Sequence, residues 1–186
     1  LFQQALGADP FDEEFLNQLI ILFRLKGEHD KAVGACKKLL SRHPDNVDAL
    51  KNLSLTYFDQ EKYALSETIA VDALKRRKND ASLYNTRGMI RVRKSQFPEA
   101  VSFFRKAIEM DPKLLSAHLN LGAIALRYRD YKSATEHYGV AVQLSARHPT
   151  ANLGYGMALS GQQKTPEALA QLQRALELAP GSISAM

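Results

Sequence analysis

The chain has 186 residues, 45% of them hydrophobic and 24% charged, with a formal net charge of +5. That balance excludes a disordered chain, and the longest apolar stretches, near 15–25 and 119–126, are too short and too interrupted to cross a bilayer. One cysteine, Cys36, excludes an internal disulfide framework and a cysteine-based zinc site, and suits a cytoplasmic or a bacterial periplasmic setting alike.

Taken in order, residues 1–12 read as the second helix of a partial repeat, because the chain opens at Leu1 in mid-pattern. Helix pairs are then predicted at 13–26 with 30–41, 47–60 with 63–76, 81–94 with 98–110, 115–128 with 131–144, and 149–161 with 166–178. Residues 183–186 read as the start of a further repeat, and the apolar carboxyl end lacks the polar cap that closes a stacked array. Both ends are therefore expected to be cut from a longer protein. Phe97-Pro98-Glu99 and Thr165-Pro166-Glu167 each place a proline and an acid in a first turn, with Thr165 as an N-cap. Asp130 is expected to cap the helix through Tyr138.

The pairs share a 34-residue frame. Pro10, Pro44, Pro112 and Pro180 fall at multiples of that spacing. One column reads Ala5, Leu39, Ala73, Ala107, Ala141, Ala175, and a second Ala32, Ser66, Ala100, Ala134, Ala168. A third reads Ile20, Ser54, Gly88, Gly122, Gly156, and a bulkier fourth Phe2, Cys36, Ala70, Phe104, Tyr138, Leu172. Small residues let two helices approach where they cross, and large neighbours fill the space beside the crossing. The columns resemble the tetratricopeptide repeat (TPR) over essentially the whole chain, most strongly across 81–146. The match is weakest at 46–78, which lacks the closing proline and carries Ser54 and Ser66 at two small positions. The resemblance implies an all-α, right-handed α-solenoid of antiparallel helix pairs. Its full repeats would be 13–46, 47–80, 81–114, 115–148 and 149–182, forming a single array over 1–186.

The residues offer no catalytic constellation, and neither an enzyme nor a cofactor or metal is expected. No two of His29, His43, His118, His137 and His148 have the i, i+4 spacing of a helical metal site. His118 shares its frame position with Leu16, Leu50, Tyr84 and Asn152, which points to packing. Cys36 falls in the bulky column and is read as a buried, unreactive thiol. Gly154-Tyr155-Gly156 lies within a predicted helix, where glycine serves close packing rather than a phosphate. The sequon Asn52-Leu53-Ser54 also lies mid-helix and is read as chance.

The resemblance further implies that the first helix of each repeat lines a concave partner-binding face. By frame, that face carries Asn17, Gln18 and Ile21, then Lys51, Asn52 and Leu55, then Asn85, Thr86 and Met89, then Leu119, Asn120 and Ala123, and last Leu153, Gly154 and Met157. Its amino-terminal part is a ladder of amides able to grip a peptide backbone, and its carboxyl-terminal part is more apolar. From Lys75 to Lys106 ten basic residues face two acids, and Arg127 and Arg129 follow, so a basic stripe is expected to attract an acidic segment, with Arg93 and Arg127 steering it. Nucleic acid is the lesser ligand for that stripe, since no aromatic platform accompanies it, and membrane headgroups rank lower still. The two-carboxylate clamp of chaperone-binding TPRs is not matched: beyond Lys51, its positions hold Leu55, Thr86, Ser116 and Asn120. The leading reading is a scaffold or adaptor that binds a peptide or helix of another protein. An assembly platform acting by self-association, as in bacterial pilus or gliding machinery, and the substrate-presenting arm of a larger enzyme stay open.

Overall fold

A computed structural model describes residues 13–179. The readings placed on 1–12 and 183–186 lie outside those residues. Helices make up the described chain: α1 (Glu13–Leu25), α2 (His29–Arg42), α3 (Val47–Asp59), α4 (Tyr63–Arg76), α5 (Ala81–Arg93), α6 (Phe97–Met110), α7 (Leu115–Arg127), α8 (Tyr131–Leu144), α9 (Pro149–Gly161) and α10 (Thr165–Leu178). First helices have 13 residues and second helices 14 in every pair, which is how the 34-residue frame runs without an insertion. The chain divides into two units, Leu1–Lys94 and Ser95–Met186, and the boundary falls between the two helices of the 81–114 frame.

The helix starts are specified differently in the two halves of a repeat. Three first helices, α3, α5 and α9, take side-chain caps from the residue just before them, whereas Leu114 before α7 makes none: Asn46 Oδ1 accepts from Ala49 N at 2.8 Å and Asp80 Oδ1 from Leu83 N at 3.1 Å. His148 Nδ1 accepts from Ala151 N at 3.3 Å. Among second helices Asp130 caps as expected, accepting from Ser133 N at 3.1 Å. Thr165 does not cap: it is the first helical residue, Lys164 precedes it without a side-chain bond, and Pro166 sits one place further in. What begins the second helices is the turn before them. Gly27, Glu61, Ser95, Arg129 and Gln163, all at one frame position, have φ between 58° and 72°. That left-handed residue ends the first helix in a Schellman-type turn, as in Asp130 N to Ala125 O at 2.9 Å. Only Gly27 holds the conformation without a Cβ penalty.

In the first unit, α1 and α2 with the near side of α3 enclose Leu16, Ile20, Ala32, Cys36, Leu39, Ala49 and Leu53. A second cluster joins Val47, Leu50, Ala70, Ala73, Leu74 and Leu83 across α3, α4 and α5. The two serines of the weakest repeat are buried and bond reciprocally where α3 crosses α4: Ser54 Oγ donates to Ser66 O at 2.9 Å and Ser66 Oγ to Ser54 O at 2.8 Å. The departure from small apolar residues is thus satisfied internally. In the second unit Tyr138 on α8 packs with Ala125, Ala134 and Ala158. Its ring occupies a slot between Gly122 of α7 and Gly154 of α9; a Cβ at Gly122 would stand 2.7 Å from Cδ2, and one at Gly154 would be closer still. The glycines serve packing, as the sequence suggests.

Candidate functional site

The first helices carry the expected binding residues, and the structure sorts them by depth. In the first unit Gln18 and Ile21 are exposed, while Asn17, Lys51, Leu55 and Met89 are half-buried. Asn52, Asn85 and Thr86 are not open surface: they are 8%, 6% and 1% exposed. The reason is that α3 packs against α1, α2, α4 and α5 at once, and α5 against α3 and α4, so neighbouring helices cover these positions. Thr86 also spends its hydroxyl locally, donating to Ser82 O at 2.9 Å. The amide ladder therefore reduces in the first unit to Asn17 and Gln18 beside Lys51. In the second unit Leu119, Asn120 and Leu153 are half-buried, Ala123 and Met157 are exposed, and Gly154 lies beneath Tyr138.

The basic stripe is also corrected. Arg76 pairs with Asp45 at 2.9 Å and with Asp72, and Arg77 pairs with Asp48 at 3.2 Å and Asp80 at 3.3 Å. Arg87 and Arg91 share Glu67 Oε1 at 2.8 and 3.0 Å, tying α5 to α4. Lys51 reaches Asp48 at 2.7 Å and Asp80 at 3.9 Å. Hydrogen bonds from Arg77 and then Lys51 hold the Asp48 carboxyl below its usual range. Some of these acids are near in sequence, as Asp72 is to Arg76 and Asp48 to Lys51, but Asp45, Asp48 and Glu67 reach their arginines only through the fold, so counting charges within one stretch misses them.

Arg93 and Arg127 behave differently. Both are exposed at the last residue of a first helix, one frame apart, and each lies over an aromatic ring. The Arg93 Cζ is 5.7 Å from the Phe58 ring centre in the first unit, and Arg127 Cζ is 4.8 Å from Phe97 in the second. Phe97 in turn meets Tyr128 edge-on at 5.8 Å. Stacking on a ring fixes a guanidinium's plane and leaves its N–H edge to meet a carboxylate. The aromatic partners, about 30 residues away, had no signal in the sequence beyond their being aromatic.

A pocket of about 440 Å³ opens beside Arg127 within the second unit. Leu126, Arg129, Tyr131, Met157 and Leu172 contribute to its wall. The Tyr131 ring rests on Gly161, where any Cβ would collide with it, and Tyr131 O accepts from Gln162 Nε2 at 2.9 Å. Leu172 is the one described member of the bulky column left half-buried.

The residues set aside as structural are placed accordingly. Cys36 is fully buried, which pushes its thiol up to about 12. His118 is buried; its Nε2 lies 3.0 Å from Pro112 O, as Asn152 Nδ2 at the same frame position donates to Ala146 O at 3.1 Å. His118 also meets His137, Nδ1 to Nδ1 at 3.4 Å, a pairing across α7 and α8 that linear spacing does not reveal. Among the described residues no third ligand-type side chain joins them into a metal-binding group, and no helix is long and apolar enough to cross a membrane.

A family model for the tetratricopeptide repeat matches residues 26–82, 51–114, 85–146 and 119–183. BBSome complex member BBS4 of Mus musculus is 27% identical over 157 residues, 82% of this chain and 29% of that protein. Hsp70-Hsp90 organizing protein 1 of Glycine max is 27% identical over 95 residues, 51% of this chain and 17% of that protein. This chain thus spans less than a third of either relative. Among solved structures, the APC/C hetero-tetramer Cut9-Hcn1 superposes with a TM-score of 0.84 at 18% identity, over 99% of this chain and 37% of that one, a likeness of fold. The chain belongs to the tetratricopeptide-repeat family, a family of protein-interaction repeats with the all-α fold seen here.

Proposed function

We propose that this chain is a non-catalytic scaffold module that binds an acidic peptide or helix of another protein along the first-helix faces of its units. The observation that carries the reading is the pair of exposed, ring-stacked guanidiniums, Arg93 and Arg127, repeated at one frame position. A stacked arginine loses less side-chain freedom on pairing with a carboxylate than a solvated lysine does. Gln18, Asn17 and the half-buried Leu55 and Met89 offer amide and apolar contacts on the first helices of the same unit as Arg93. Nucleic acid is disfavoured, because Arg76, Arg77, Arg87 and Arg91 are already matched to carboxylates.

The probe is a short peptide selected by panning a phage-displayed random library on the immobilised chain, then synthesised with a fluorescent label. Arg93→Glu combined with Arg127→Glu should weaken it by about tenfold or more and flatten its salt dependence. Unchanged affinity with unchanged salt dependence would overturn the acidic-partner reading. A second reading, self-association or docking through α10, is favoured by one observation: Leu169 and Leu176 are 55% and 48% exposed on that helix. Sedimentation velocity across a concentration series separates the two.

A further inference from the structure

The pocket at the ends of α7 and α9 carries more information than the faces around it. Its cations, Arg127 and Arg129, stand beside Leu126, Met157 and Leu172, and none of the residues lining it is acidic. Met157 is 46% exposed and, with Leu126 and Leu172, gives the pocket an apolar wall beside the two arginines. Arg127 is already fixed on Phe97. Arg129 occupies the left-handed turn position at φ 58°, where glycine would fit with less strain. At the same frame position in the first unit stands Glu61, which lines a pocket with Tyr63, Leu65 and Lys94. The turn therefore accepts either sign of charge, and in the second unit it is Arg129 that sets a second cation beside Arg127 in the pocket.

We propose that this pocket seats one short segment of a partner protein carrying a carboxylate next to a bulky apolar side chain. The carboxylate lies on the N–H edges of Arg127 and Arg129, and the apolar side chain on Met157, Leu126 and Leu172. Charge complementarity argues for this occupant: a purely apolar one would leave two guanidiniums covered and unpaired, which costs more than the contact contributes. The inference rests on the acidic-partner reading and locates it.

The left-handed turn provides a clean test. Arg129→Gly removes the charge while relieving the backbone, so it should raise the unfolding midpoint and still lose binding, an outcome no folding defect can imitate. Met157→Glu, at an exposed position, should also abolish binding by placing a carboxylate in the seat. The probes are labelled peptides with a Glu-Glu-Leu-Phe core flanked by Gly-Ser, with Gln-for-Glu and Ala-for-Leu/Phe controls, titrated against the full chain. The core peptide should bind about tenfold more tightly than either control, and Arg129→Gly should erase that preference. If Arg129→Gly retains the preference, or the core peptide binds no better than its controls, the pocket assignment is overturned. If the panned peptide is nevertheless weakened by Arg93→Glu with Arg127→Glu, the broader reading survives; if it is not, both fall. A dimer in sedimentation that Met157→Glu dissociates would show that a second copy fills the pocket, which also overturns the assignment.

Discussion

Gly154→Ala is the substitution whose outcome the packing fixes most closely. Its added Cβ would fall inside the van der Waals envelope of the Tyr138 ring, nearest Cζ and Cε1, and Gly122 closes the ring's other side. Tyr138 is buried between α7 and α9, so the ring cannot swing away. Overpacking of this kind costs roughly 1–3 kcal/mol, and alanine in place of glycine inside a helix offsets about 1 kcal/mol of it. The net expectation is a loss of up to roughly 2 kcal/mol. Tyr138→Leu shortens the side chain and leaves a cavity costing roughly 2 kcal/mol or more. In that background Gly154→Ala meets no ring and should stabilise by up to about 1 kcal/mol. Urea titration followed by far-UV circular dichroism measures all four corners of the cycle. If Gly154→Ala costs the same with tyrosine and with leucine at 138, the slot is not what requires glycine.

Three further outcomes follow from particular contacts. Ser54→Ala and Ser66→Ala should each cost about 1 kcal/mol, and the double variant less than their sum, because it rebuilds the small apolar crossing of the other repeats; strictly additive urea midpoints would count against the reciprocal pair. Ser95→Gly and Gln163→Gly, at the left-handed turn position, should each gain up to about 1 kcal/mol, whereas a loss would mean the strain is absent. Burial, and next the neighbouring His118, lowers the His137 pKa from its ordinary value. The neutral ring is favoured in the fold, so this contribution is present above about pH 6.5 and is lost as pH falls through the folded value. The pH profile of stability should therefore decline below that point and flatten in His137→Gln; an unaltered profile would show that the pair does not couple to folding.

What the sequence made legible, and what it hid, divides along the same line as local and non-local physics. The columns Ala100, Phe104, Ala107 and Ala134, Tyr138, Ala141 are buried as their spacing implies, because a helix repeats its face by arithmetic alone. The turn at Glu61, Ser95, Arg129 and Gln163 left no trace, since none of these residues advertises a positive φ. The outward positions of the first helices were legible in register but not in depth. Asn52 and Asn85 hold the frame positions expected of a groove, yet the helices packed against α3 and α5 cover them. Charge was the least legible quantity, because Glu67 disposes of Arg87 and Arg91 from a different helix, and only the folded chain brings the three together.

The central claim, that the first helices form the working surface, is tested most directly by mapping the bound peptide on the protein. Amide chemical shifts of the labelled chain, followed as the panned peptide is added, should move along α1, α3 and α5 in the first unit or α7 and α9 in the second. The largest changes should lie near Arg93 or around Arg127 and Met157. Shifts confined to the second helices, α2, α4, α6, α8 and α10, would contradict the account.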